Sequence, residues 1–386
     1  MKRRVQSLYL TLAAVAGLAL SWPAVATVLP EERADIMYHN YDGGGITIDG
    51  PSLLVRKDIA NKVSVKANYY VDNVSSASID VEASGASRYE EKRTEYTLGA
   101  DYLYEKALMS FGYTNSTEND YDATTYSFGI SQDFFGDLTT LTLGYSMGNN
   151  TVKQTGNAGF EKQMDQQNYR FGISQIVTSN LLLTFNYEGI TDEGYLNNPY
   201  RSYRYLNPAN PTSYIMETEV YPQTHTSDAA AIGGKYYLPY RAAIGFNYRY
   251  FTDDWEIEAH TFELDYTHPV GDSWILDFSA RHYQQTSAYF YSDLHQFQSA
   301  DPKDFRARDK ELSDYTTTSL GFGITYNFKI GEGKWVEKSS VTFNYNHIRF
   351  DYNNFTDLTK STGVPGTEPL YSFNAEVIRM YLSAWY

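Results

Sequence analysis

The sequence predicts an all-β protein, a transmembrane antiparallel up-and-down β-barrel of 14 or 16 strands, with 16 favoured. Three observations carry this. Apolar and polar residues alternate with a period of two over long runs, connections switch between short turns and long polar segments, and the final strand ends on an aromatic residue. A period of two with one apolar face describes a strand with two different surroundings. Outer-membrane barrels have short periplasmic turns and longer extracellular loops, a sorting that a soluble sandwich has no reason to adopt.

The chain opens like a secretory leader. Met1-Lys-Arg-Arg4 is followed by the apolar run Leu8 to Leu20 and by Pro23-Ala-Val-Ala26, which places the cut after Ala26. That run is short for a membrane span and no later stretch approaches eighteen apolar residues, so no helix is expected to cross a membrane. The absence of cysteine excludes disulfides, a lipoprotein anchor and covalently attached c-type haem. Loss of Lys2, Arg3 and Arg4 with the leader takes the 31 basic residues to 28 against 47 acidic ones, a net of −19. Such acidity argues against nucleic acid as a partner and is compatible with a cell surface that holds divalent cations. Tyrosine is over-used, at 37, with 20 Phe and 5 Trp. Rings with an apolar body and a polar tip suit membrane–water boundaries.

Residues 27–61 are the least regular part of the mature chain and read either as a first hairpin or as a plug inside the barrel. Gly43-Gly-Gly45 marks a turn there, and Pro51 weakens its segment as an inner strand. From Lys62 the alternation is regular. Val63, Val65, Ala67, Tyr69 and Val71 share one face, then Tyr96, Leu98, Ala100 and Tyr102, and the unit recurs to the end of the chain. Short turns are expected near 59, 105, 137, 179, 239, 271 and 332. Long polar segments are expected at 73–93, 116–123, 149–166, 191–227, 252–258, 284–315 and 351–371. Fourteen strands fit between Lys62 and Tyr386, and a hairpin over 34–42 and 45–57 makes sixteen. The last strand puts Ile378, Met380, Leu382, Ala384 and Tyr386 on one apolar face. It resembles the closing strand of outer-membrane barrels, whose terminal aromatic helps their assembly machinery recognise them. Outer-membrane lipid and that machinery, acting on Ile378 to Tyr386, are therefore the expected partners, with an unidentified periplasmic partner left open.

The inward face carries Lys66, Arg170, Lys235, Arg249 and Arg281 against Glu95, Asp101, Glu188, Glu263, Asp265 and Asp277. This near balance predicts a wall without strong ion selectivity. Lys66, Arg170, Lys235, Arg249, Asp265, Asp277 and Arg281 are the candidate binding residues. They form either a cross-strand network that closes the lumen, such as Arg170 with Glu188, or the lining of a water-filled path. The simplest register around Gly271 sets Asp265 opposite Asp277, a destabilising pair that Arg281 or Arg249 is expected to neutralise in preference to a metal. The seven histidines show no metal-ligand spacing. No nucleophile elbow, His-Glu-x-x-His or phosphate loop is present. No cofactor and no enzymatic activity are expected. The loop 73–93, with Asp72, Asp80 and Glu82, does not fit an EF-hand and is expected to be solvated.

Tyr41-Asp-Gly-Gly-Gly45, Gly50-Pro-Ser52, Leu54-Val-Arg-Lys57, Tyr69-Tyr-Val-Asp72, Ser75-Ser-Ala-Ser-Ile-Asp-Val81, Asp133-Phe-Phe-Gly136 and Leu143-Gly-Tyr145 resemble an uncharacterised proteobacterial family, catalogued as domain of unknown function 3570. The resemblance covers essentially the whole mature chain. It implies an outer-membrane barrel and supplies neither reaction nor ligand. Residues 41–57 and 72–82 are expected to pack together at the lumen or its mouth. Passive or gated transport of a small polar solute or ion is the first expectation for function. A closed structural or docking barrel is the second, and an outer-membrane enzyme trails.

Overall fold

The computed structural model describes residues 28–76, 89–301, 303–329 and 335–386. The expected leader 1–26, residues 77–88 with Asp80 and Glu82, and the turn at 331–333 lie outside the described residues. From Arg33 to Trp385 the chain runs up and down as antiparallel strands. They are β1 (Arg33–Gly43), β2 (Ile46–Ile59), β3 (Val63–Ser76), β4 (Tyr89–Tyr104), β5 (Ala107–Thr117), β6 (Tyr121–Phe134), β7 (Thr139–Lys153), β8 (Glu161–Thr178) and β9 (Leu181–Gly194), then the short hairpin β10 (Ser202–Leu206) and β11 (Tyr214–Thr218). The wall resumes with β12 (Thr224–Tyr237), β13 (Ala243–Asp253), β14 (Glu258–Val270), β15 (Trp274–Gln285), β16 (Tyr315–Phe328), β17 (Lys338–Thr356) and β18 (Leu370–Trp385). Each wall strand pairs with its neighbour in sequence, β9 pairs with β12 across the small hairpin, and β1 pairs with β18, which closes a barrel of sixteen strands.

The sixteen-strand alternative therefore holds, and residues 33–59 are wall rather than plug. Gly44 and Gly45 form a two-residue turn with φ of +59° and +77°, the conformation a tight I′ hairpin demands and glycine supplies without strain. Farther along β2, a Cβ on Gly50 would stand 1.8 Å from the carbonyl oxygen of Val71, so only glycine fits this approach of β2 to β3. Pro51 has no N–H to give. The β2–β3 pairing passes from Asp49↔Asn73 to Ser52↔Tyr70 without it, while β1 still lies alongside. Those two residues are why the segment looks poor as a strand yet forms one. Residues 41–57 and 72–76 meet as adjacent wall strands, not as a packed insert.

β18 finds β17 on one side and β1 on the other, with Met380 opposite Phe343 and Tyr38, and Leu382 opposite Val341 and Ile36. Tyr386 lies just past the strand. Its hydroxyl donates to the carbonyl of Arg56 at 2.8 Å, and its ring stacks on Trp335 at 4.7 Å.

At one end of the barrel the described turns are two to five residues, such as 105–106, 179–180 and 238–242; at the other, connections 195–223, 286–314 and 357–369 are long. The expected long segments at 116–123 and 252–258 shrink to 118–120 and 254–257, because their polar residues continue the strands. Wall strands of 11 to 19 residues meet or exceed the 9–11 that a membrane needs, so the longer ones carry polar ladder beyond any apolar band.

The outer face is apolar: Leu98, Leu264 and Leu320 are 57%, 60% and 62% exposed. Outward tyrosines pair across strands, Tyr69 with Tyr96, Tyr113 with Tyr126 and Tyr145 with Tyr169, at ring separations of 5.1, 5.3 and 5.2 Å. A face this apolar is incompatible with water as its surroundings. Among the described residues the main buried apolar cluster lies not between layers but among the long connections at one end.

Candidate functional site

Alternation puts all seven candidate residues on the inner wall, where they form several small groups rather than one site. Arg170 sits directly opposite Glu188 and bonds it through Nε at 3.0 Å; Arg249 approaches the same carboxylate at 3.7 Å. Arg281 is opposite Glu263, also at 3.0 Å. These side chains keep 28–38% of their surface open to solvent. Solvated pairs of this kind contribute about 0.2–1 kcal/mol each, so they set the charge of the lumen more than they hold the wall together. Lys66 lies flat across Gly99, where a Cβ would meet its Cε at 2.5 Å. Lys235 and Asp265 flank Gly245 on the two neighbouring strands.

The opposed acidic pair does not form. Asp265 faces Ser279, and Asp277 faces Thr267, whose hydroxyl donates to it at 2.7 Å. The turn holds three residues, Gly271 to Ser273, with Val270 opposite Trp274, and this moves the partner by two positions. Arg281 and Arg249 are thus engaged with Glu263 and Glu188 instead.

A second inner group was only partly signalled by the sequence: Glu95 and Asp101 read as inward, but His39 and Arg56 lie in the irregular first hairpin and Arg93 in a stretch read as loop. His39 Nε2 meets Asp72 Oδ1 at 2.7 Å and the hydroxyl of Tyr70 at 3.2 Å, with the Tyr70 ring stacked on the imidazole at 4.9 Å. Arg93 reaches Asp72 at 3.5 Å and Glu95 at 2.6 Å. Nearer the opposite end, Arg56 bonds Asp101 at 2.7 Å, and Ser110 donates to the same carboxylate at 2.7 Å. His39 Nδ1 has no hydrogen-bond partner among the described residues.

The third group lies at the end of the barrel that bears the long connections. The connection 286–314 carries a 3₁₀ turn, Lys310–Leu312, capped by Asp309, which accepts from the Glu311 N–H at 2.9 Å. Gln285, from the inner face of β15, donates to the carbonyls of Glu311 and Ser313 at 2.9 and 2.8 Å. Leu312, Phe290 and Tyr291 pack against Tyr315 and Tyr352, with Phe251, Tyr283 and Phe373 alongside, all inward residues of β13 to β18. The connection is therefore folded inward onto that side of the wall.

Charge ties the connections to one another. Arg204, fully buried on β10, donates to Glu368 at 2.8 Å, to the Asp293 carbonyl at 2.7 Å and to Thr356 Oγ1 at 3.1 Å. Arg308 bonds Asp293 at 2.9 Å, and Arg201 pairs with Asp309. Burial alone would raise the Asp293 carboxyl, but Arg308 and Arg204 outweigh it and hold it below the usual carboxylate range. Burial raises Glu368 as well, and Arg204 likewise brings it below its ordinary value. By contrast, burial and the nearby Asp309 push Glu219 up, despite Arg201.

Wall and mouth together define a closed antiparallel barrel with an apolar outside, a charged inside and a folded cap at one end. The chain belongs to the family described as "Protein of unknown function (DUF3570)", whose model matches residues 82–353. Asp133–Gly136 and Leu143–Tyr145 lie within the match; the motifs of 41–81 precede it, so the family match is narrower than the whole mature chain. A search of curated proteins finds no match. Solved structures that resemble it include a bacterial polysaccharide outer membrane secretin, with TM-score 0.48, 8% identity, and coverage of 94% of this chain and 99% of that one. A Pseudomonas aeruginosa FadL homologue gives 0.44 at 12% identity, covering 95% and 93%. OmpT, an outer membrane protein of Vibrio cholerae, gives 0.42 at 12% identity, covering 93% and 100%. Likeness this distant carries no argument about cargo or partners.

Proposed function

We propose that this chain is an outer-membrane channel for a small polar solute or ion, with a water-filled lumen narrowed at its outer mouth. The single observation that supports this most is the solvent exposure of the inner-wall ion pairs, 28–38% at Arg170, Glu188, Arg249, Glu263 and Arg281. In a lumen packed shut, those side chains would be as buried as Arg204. Barrels of 16 strands leave room for an aqueous channel. The membrane location rests on the apolar, tyrosine-girdled exterior and on strands long enough to span. The end bearing the long connections is then extracellular, both chain ends are periplasmic, and Ile378 to Tyr386 is the stretch read by the assembly machinery. The chain acts here as a conduit and not as an enzyme.

One observation favours the second reading, a closed docking barrel: the cap folds inward and buries a continuous aromatic cluster against β13 to β18. Conductance separates the two. The refolded mature protein in a planar lipid bilayer should carry steady, weakly ion-selective current. Absence of current at every voltage tested would overturn the channel reading and favour the docking barrel.

A further inference from the structure

At the outer rim, between the start of β4 and the connection from β5 to β6, three carboxylates converge. Glu91, Glu118 and Asp120 each offer one oxygen, and these oxygens lie within 4.8 Å of one another. Glu91 and Asp120 are only 5% and 1% exposed. Each group has one side engaged with the protein. Asp120 Oδ2 accepts from the Tyr200 hydroxyl at 2.6 Å, the backbone N–H of Asn119 faces Glu91, and Glu118 Oε1 looks toward Arg93 at 4.0 Å. The remaining oxygens, Glu91 Oε1, Glu118 Oε2 and Asp120 Oδ1, have no hydrogen-bond partner among the described residues. Arg93 does not fill the gap, because its bonds go to Glu95 at 2.6 Å and Ser116 at 3.0 Å. Burial and then the charge of Glu91 push the Glu118 carboxyl up to about 8, against the pull of Arg93.

Buried acceptors left unpaired are costly, and several turned toward one place are costlier still. A cation held among the converging carboxylates would offset that cost. Oxygen donors without nitrogen or sulfur select a hard divalent ion. Calcium binds oxygens at about 2.3–2.6 Å, so two ligands on opposite sides of it span up to about 5 Å, and water completes its shell. We propose that Glu91, Glu118 and Asp120 form a calcium site at the outer rim. It ties β4 to the β5–β6 connection and, through Tyr200, to the long connection after β9. The site is independent of whether the lumen conducts.

The test uses the mature protein refolded in detergent, freed of divalent ions with EDTA and titrated with calcium chloride by calorimetry. One saturable site is expected, with Kd in the range of about 10⁻⁴–10⁻³ M found for extracellular modules. Glu118→Gln and Asp120→Asn should each weaken it at least tenfold, while Asp272→Asn, in a fully exposed turn at the other end, should leave it unchanged. In EDTA, Glu118→Gln should melt no lower than the wild type, since it replaces a buried carboxyl that has an unsatisfied oxygen, and should lose the calcium-induced rise in Tm. If Glu118→Gln does not refold, Glu91→Gln supplies the same readouts. No saturable binding below about 10 mM, ten times the weakest such modules, would overturn the proposal. So would equal calcium affinity in Glu118→Gln, or a lower melting point in EDTA with the calcium response retained.

Discussion

Arg204→Ala should open the outer cap while leaving the barrel intact. Arg204 comes from β10, Glu368 from the connection before β18, and Asp293 from the connection before β16, so one guanidinium joins three segments, of which β10 and the connection before β16 also meet through a parallel bridge, Tyr205↔His295. Removing it leaves Glu368 without its cation, with the Gly366 N–H at 2.8 Å and its own N–H remaining, whereas Asp293 retains Arg308 and the Thr356 N–H. Breaking a buried pair from one side costs about 3–5 kcal/mol, and the surviving partners of Asp293 place this case near about 3. At about 1.4 kcal/mol per decade, the opened cap should be roughly a hundred times more populated. Limited proteolysis within 195–223 and 286–314 should accelerate by about that factor, in the regime where cleavage follows the open population. The heat-dependent gel shift of the barrel should not change, because none of its ladder bonds is touched. Acid should mimic the substitution. The carboxyls of Asp293 and Glu368 titrate lower folded than unfolded, so their stabilising effect is fully present above their unfolded values, near about 4. It is lost as pH falls from there through the folded values. Wild-type proteolysis rates in Arg204→Ala, or a cap as acid-resistant at pH 3 as at pH 7, would refute this reasoning.

Two further outcomes follow from the wall and its seam. Replacing Arg170, Arg249 and Arg281 together by Ala leaves Glu188, Glu263, Asp265 and Asp277 facing the lumen; the reversal potential in a salt gradient should move toward cation preference, with little loss of stability, since the pairs are solvated. An unmoved reversal potential would mean that ions do not pass these residues. Tyr386→Asp removes the hydroxyl that donates to the Arg56 carbonyl and the ring stacked on Trp335. Folded yield in membranes should fall severalfold while the current per folded molecule stays the same; a normal yield would exclude a role in assembly.

The wall was legible in the sequence wherever period-two alternation ran unbroken, which is from Lys62 onward. It was obscured at the first hairpin because Gly44 and Gly45 serve a turn, Gly50 serves a close approach, and Pro51 withholds an N–H, all local demands that erase the pattern without ending the strands. Register was less legible than face. The three-residue turn is centred on Asp272 rather than on Gly271, which moved the partner of Asp277 by two positions, and nothing in the alternation reports where a turn is centred. The cap was not legible at all. Arg204, Asp293 and Glu368 lie in three polar connections that differ little in composition from solvated loops, and only the closed barrel brings those connections to one mouth. Glu91, Glu118 and Asp120 escaped for a related reason: they fall in stretches read as loop, where inward and outward faces were not assigned.

The claim that the interior is a water-filled path can be tested along a single strand, because the chain has no cysteine of its own. Single cysteines would be placed at the inward positions Ser279 and Arg281 and at the outward positions Phe278 and Ala280 of β15, and the barrels reconstituted in lipid vesicles. A membrane-impermeant maleimide should label the inward pair rapidly and spare the outward pair. Protection of the inward cysteines to the level of the outward ones would contradict an open, hydrated lumen.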